Sequence, residues 1–101
     1  MEKGILYCME TKIDGLIMIG KSERQDFNKR KAMIEYEGYK GIDDVECKFA
    51  IEVDKYEEKL QMIYQIFDKS HVKDTEFFAV DIKIAVQLLS SLEGTEIYPR
   101  N

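Results

Sequence analysis

Short runs of alternating apolar residues, set between polar turns and longer stretches with a helical repeat, organise this chain. In Gly4–Met9, the residues Ile5, Tyr7 and Met9 fall on one side of an extended strand and Leu6 and Cys8 on the other. A second apolar run, Leu16–Ile19, follows a connection ending in Asp14-Gly15, a strong turn signal, so the two runs are expected to pair as an antiparallel hairpin. Gly20 ends the second strand and lets the backbone turn away. Residues 26–36 then read as a helix with Asp26 available to cap its first turn. Val45, Cys47, Phe49, Ile51 and Val53 alternate with Glu46, Lys48, Ala50 and Glu52, which predicts a strand with one buried and one polar face.

From Asp54 to about Asp68, the residues Tyr56, Leu60, Ile63, Tyr64 and Phe67 make the apolar side of a second helix. Asp54-Lys55-Tyr56-Glu57 fits a capping box, in which Glu57 would reach back to the cap N–H. Lys69–Thr75 is a polar loop holding His71, the only histidine, which is expected to be exposed. Glu76–Val80 is a short apolar segment, extended or a fourth strand. Asp81 caps a last helix with a packing stripe of Ala85, Leu88, Leu89 and Leu92, and Gly94 is expected to stop it. The reading is one domain over residues 1–94 with a loosely held tail over 95–101.

One position breaks the helical pattern. At about 100° per residue, Phe27, Met33 and Ile34 define an apolar arc, and Arg30 falls near its centre. A guanidinium there is costly unless a carboxylate, a phosphate or water meets it. Two readings are open: an arginine that snorkels at the helix margin, or one that faces a site.

Composition narrows the classes. A chain of 101 residues with 45% apolar content can bury one core without disulfides or a structural metal. The formal charge of −5 opposes general nucleic-acid affinity, which rests on Lys and Arg neutralising phosphates. The imbalance is uneven: Lys21–Lys31 holds five basic residues against two acidic. Cys8 and Cys47 lie in strand-like runs without C-x-x-C spacing, as expected for reduced, mostly buried thiols. No stretch approaches the roughly 18 consecutive apolar residues of a membrane span, and no signal peptide is visible, so a cytoplasmic location is expected.

Several chemistries find no support. There is no Walker-type glycine-rich loop, because Gly20-Lys21-Ser22 lacks its upstream glycine, and no Ser-His-Asp set or paired histidines. What remains is Tyr7, Lys21, Arg30 and Glu57. Phosphodiester hydrolysis needs a base for the attacking water and cations on the non-bridging oxygens. A tyrosine beside a lysine could serve as the base, and Arg30 could grip phosphate in bidentate fashion. Glu57 could hold a Mg²⁺ (or Mn²⁺) that keeps most of its waters.

The order of these elements resembles the GIY-YIG nuclease domain, and the Glu76-Phe77-Phe78 segment after the second helix is similar to a phage-associated branch of that family. Gly4-Ile5-Leu6-Tyr7 stands for the first motif, Met18-Ile19-Gly20 for the second, Asp26–Arg30 for the arginine helix, and Glu57–Leu60 for the glutamate helix. The resemblance covers roughly residues 4–80. It implies an α/β (α+β type) fold: a small antiparallel three-stranded sheet flanked by helices, in β-β-α-β-α order, plus a C-terminal helix. It also implies a Mg²⁺-dependent endonuclease that hydrolyses DNA. Tyr7 would be the general base, Lys21 its activator, Arg30 the phosphate ligand and Glu57 the metal ligand. Two departures stand out: the first tyrosine comes one residue late, and Met18 occupies the second tyrosine's place. Methionine neither donates a hydrogen bond nor transfers a proton. An acidic stand-alone domain would bind DNA weakly, as a homodimer or with a partner protein for targeting. The alternative is a catalytically inactive GIY-YIG-like binding or regulatory module.

Overall fold

The computed structural model describes residues 2–99. Among the described residues there are five strands: β1 (Lys3–Glu10), β2 (Ile17–Ser22), β3 (Glu46–Asp54), β4 (Phe77–Phe78) and β5 (Thr95–Tyr98). Three α-helices accompany them: α1 (Phe27–Glu37), α2 (Tyr56–Ile66) and α3 (Ile82–Ser90). The strands form one antiparallel sheet in the order β4-β2-β1-β3-β5.

This overturns the expected three-stranded, GIY-YIG-like sheet. The hairpin and β3 sit at the centre as expected, but alone they would leave two long edges of unpaired N–H and C=O groups. Phe77–Phe78 covers the edge of β2, and Thr95–Tyr98, expected in the tail, covers the edge of β3. Neither segment is long enough to show a period, so its strand state comes from the edge it meets.

Side-chain alternation divides the core between the two faces of the sheet. Ile5, Tyr7, Met9 and Met18 pack with Phe27 and Ile34 of α1, while Leu6, Cys8, Ile17 and Ile19 pack with Leu60, Ile63, Ala85 and Leu89 of α2 and α3. The hairpin register places Tyr7 opposite Gly20 and Leu6 opposite Lys21. Gly20 and Lys21 therefore present to opposite faces.

The strand at 45–53 does not keep all five apolar residues on one side. The β1–β3 register shifts between Cys8 and Met9, which pair with Phe49 and Cys47 and leave Lys48 as the extra residue of a bulge. Phe49, Ile51 and Val53 face α2 and α3, whereas Cys47 and Val45 join the α1 side. The Cys47 N–H donates to Glu35 Oε2 at 2.9 Å, tying α1 to the bulge.

The helix ends also differ from expectation. Asp26 makes no side-chain cap bond. The capping box at Asp54–Glu57 does not form, because Asp54 is still in β3 and Lys55, with φ of 52°, turns the chain into α2 through the left-handed region. Asp81 caps as expected, accepting from the Lys83 N–H at 2.8 Å. Helix α3 ends at Ser90 rather than at Gly94, whose backbone instead lies against the Glu52 carbonyl. His71 is half-buried rather than exposed, stacked on Phe78 with ring centroids 4.6 Å apart.

Candidate functional site

Two of the four residues singled out from the sequence meet. Helix α1 lies across the face of the sheet that carries Tyr7, and Arg30, one turn on from the buried Phe27, projects to the tyrosine hydroxyl. Arg30 Nε donates to Tyr7 Oη at 2.7 Å. The Arg30 side chain is about 40% exposed and its guanidinium is met by groups of its own chain; Phe27 and Ile34 are buried beside it, while Met33 is about half exposed.

The third member of the cluster is Glu76, a residue the sequence did not single out. Tyr7 Oη donates to Glu76 Oε1 at 3.0 Å, and an Arg30 terminal nitrogen donates to Glu76 Oε2 at 2.8 Å. Each carboxylate oxygen thus has its own donor, and the tyrosine hydroxyl both donates and accepts. Glu76 immediately precedes β4, and its backbone C=O accepts from the Ile19 N–H at 3.0 Å, which anchors the residue to the edge of β2.

Gly20 makes the meeting possible. A Cβ there would stand against Glu76 Oε1 and 2.6 Å from Tyr7 Oη, closer than real Cβ contacts come. The glycine's value is space, since Glu76 crosses the sheet edge through the gap left by the missing side chain. One signal for Glu76 was present in the sequence: an acidic residue directly before Phe77-Phe78, a pair that has to be buried.

The electrostatics hold the cluster closed. Tyr7 is fully buried, and its hydroxyl is held well above the ordinary phenol range, first by burial and then by the Glu76 charge, with Arg30 opposing. Burial works against the Arg30 charge, but Tyr7 and Glu76 more than offset it and raise its pKa. Nearby, Tyr64 of α2 donates to the Ile19 carbonyl at 3.1 Å and is pushed up to about 12, mainly by burial.

Lys21 and Glu57 are not part of this cluster. They pair with each other at 3.5 Å on the α2 side of the sheet, both about half exposed. Lys21 therefore has no contact through which to activate Tyr7. Met18 is fully buried on the α1 side, opposite Met9 and Phe77, and fills space in the core.

The Mg²⁺ (or Mn²⁺) implied by the resemblance can be tested against these positions. Glu57 faces the Lys21 ammonium, on the opposite side of the sheet from the phosphate ligand it would have to serve. Among the described residues no three His, Cys, Asp or Glu side chains group to hold a metal ion. The residues do not fit a catalytic metal beside Arg30. Comparison of the chain with family models, with curated proteins and with solved structures finds no match. Among the described residues no helix is long and apolar enough to cross a membrane.

Proposed function

We propose that this domain is a binding or regulatory module rather than a nuclease. The observation that carries the reading is the closure of Tyr7, Arg30 and Glu76 on one another. A general base has to meet water, yet Tyr7 is fully buried and its hydroxyl is bonded on both sides. A phosphate ligand has to offer its charge, yet the guanidinium already holds a carboxylate of its own chain. Met18 leaves the second tyrosine's role unfilled, and the net charge of −5 supports only weak, salt-sensitive contact with DNA. On this reading the motif resemblance marks where the tyrosine and arginine come from, and the pair now braces the sheet edge in a soluble cytoplasmic protein.

A second reading, a DNA endonuclease, is favoured by the 2.7 Å approach of Arg30 to Tyr7. It needs Arg30 to exchange Glu76 for a phosphate oxygen. Tyr7 would take a proton from water while passing its own to Glu76, and Arg30 would stabilise the charge passing through the phenol oxygen.

A nicking assay on supercoiled plasmid with Mg²⁺ or Mn²⁺, run with wild type, Arg30→Ala and Glu57→Ala, decides between them. The expected result is the same trace activity in all three. Metal-dependent nicking that falls on the order of 10²–10³-fold in Arg30→Ala would overturn the proposal, since that is the cost of removing one transition-state contact.

A further inference from the structure

Helices α2 and α3 lie side by side on one face of the sheet, α2 over β1 and β2, α3 over β1 and β3. They run in opposite directions. Helix α2 begins with the Tyr56 ring against Gly4, and the chain leaves it with Phe67 beside Phe78. Helix α3 begins near the β1–β2 turn, and the chain after it meets the Glu52 carbonyl at Gly94. Glu57 and Tyr64 fix how α2 is turned, since they reach Lys21 and the Ile19 carbonyl of β2. Met62 and Ile66 are on the other side of that helix, turned towards α3. The right-handed sense of an antiparallel α3 turns Ile84 and Leu88 back towards α2. Met62, Ile66 and Ile84 are each about half exposed and Leu88 is half-buried, so the seam between the helices carries an apolar strip open to solvent.

The surface around the strip has no charge. Neither residues 60–67 nor residues 84–92 include an acidic or basic side chain, in a chain that is 35% charged. The exposed polar positions beside the strip are Gln61, Gln65, Gln87 and Ser91. A solvated helix face normally carries charge, and loss of charged residues around an apolar centre is the compositional mark of a protein interface. A nucleic acid or a charged peptide would find no counter-charge here. The same face of a second copy covers the strip without burying an unpaired charge.

We propose that two copies of this chain associate through the α2–α3 face, related by a two-fold axis, with Met62, Ile66, Ile84 and Leu88 of each at the centre of a four-helix layer. Helices of 11 and 9 residues, at about 1.5 Å per residue and about 10 Å across, offer a face of roughly 15 by 20 Å. That is less than the roughly 800 Å² each partner gives to a standard interface, so the association is weak and depends on concentration. The inference goes beyond the reading of the Tyr7 cluster, which lies on the other face of the sheet, and does not depend on it.

The test is sedimentation equilibrium of the full chain from about 5 to 500 µM, with a Kd of roughly 10–100 µM expected for an interface of this size. The Kd should hold or tighten as salt rises from about 50 to 500 mM, because no charge pair crosses the interface. Ile66→Lys and Ile84→Lys each place a charge in a two-fold interface twice, and each should weaken association at least roughly tenfold. Both positions are exposed, so the circular dichroism spectrum and Tm of the dilute monomer should match the wild type. Met33→Lys, at a similarly exposed apolar position on α1, should associate as the wild type does. The proposal is overturned if the chain is monomeric at every concentration, if either seam variant associates as the wild type does, or if association weakens with salt. A monomer that binds phosphatidylcholine vesicles, and loses that binding in Ile66→Lys, would assign the face to a lipid surface and overturn the proposal equally.

Discussion

Replacing Gly20 with alanine tests the geometry of the cluster by adding a single carbon. That Cβ would stand against Glu76 Oε1, 2.6 Å from Tyr7 Oη and 2.7 Å from the ring carbon bearing it. The ring has no free direction of retreat, being fully buried with Phe27 packed beside it at a centroid distance of 6.1 Å. Glu76 is the softer neighbour, with about a fifth of its side chain exposed, and would be displaced first. Overpacking of this kind costs about 1–3 kcal/mol. Loss of the Tyr7–Glu76 bond adds about 1–2 kcal/mol, because it leaves the buried Tyr7 O–H without an acceptor. A total of about 3 kcal/mol corresponds to a fall in Tm of roughly 12–24 °C for a domain of this size. Urea unfolding followed by circular dichroism reads it directly. Glu76→Ala in the same background should recover part of the loss, with a coupling of about 1 kcal/mol or more. A cost for Gly20→Ala below about 0.5 kcal/mol, or strict additivity with Glu76→Ala, would refute the claim that Glu76 crosses the sheet edge through the glycine gap.

Other outcomes follow from the same physics. Burial pushes the Cys8 and Cys47 thiols up to about 12, so at neutral pH neither should react with a thiol reagent in the native protein, and both should react in denaturant. Tyr7 and Tyr64 keep their protons longer in the folded chain than in the unfolded one, whose tyrosines titrate near pH 10. The stability they contribute is complete below about pH 10 and is lost as pH rises from there through the native values. Unfolding free energies measured between about pH 9 and 12 should therefore fall, and less steeply in Tyr7→Phe and Tyr64→Phe. Lys55 holds a left-handed conformation that suits glycine better, so Lys55→Gly should be neutral or stabilising by up to about 1 kcal/mol in thermal unfolding.

The parts of the fold that were legible in the sequence are those where local pattern and burial agree. The hairpin carries a turn signal and two apolar runs. Helix α2 buries Tyr56, Leu60 and Ile63 along the stripe its spacing indicates, and α3 does the same with Ala85 and Leu89. What the pattern could not carry is long-range. Phe77–Phe78, expected as extended or a fourth strand, takes its place from the edge of β2, Thr95–Tyr98, expected in the tail, becomes a strand because β3 offers an edge, and the bulge at Lys48 reverses which face Cys47 meets. At the site, Arg30 was found because it interrupts an apolar arc. Glu76 carries no such contradiction, since an acidic residue in a loop beside a short strand looks ordinary until the far edge of the sheet brings it to Tyr7. Lys21 and Glu57 were grouped with Arg30 because phosphodiester hydrolysis calls for residues of their types, and neither that chemistry nor the motif order shows which face of the sheet each residue takes.

The pairing of Tyr7 with Gly20 also bears on how this hairpin can change over time. Gly20 and Lys21 are neighbours in the chain, one turned to each face, so a one-residue slip of β2 against β1 would exchange their surroundings. The lysine would be driven against the Tyr7 hydroxyl, and the gap that admits Glu76 would open on the wrong side. Insertions and deletions should therefore be accepted in the exposed turn between Lys12 and Gly15, where the Thr11 hydroxyl bonds to the Leu16 carbonyl and holds the strands in step. Within Ile17–Ser22, the same single-residue change would reverse the polarity of both faces at once.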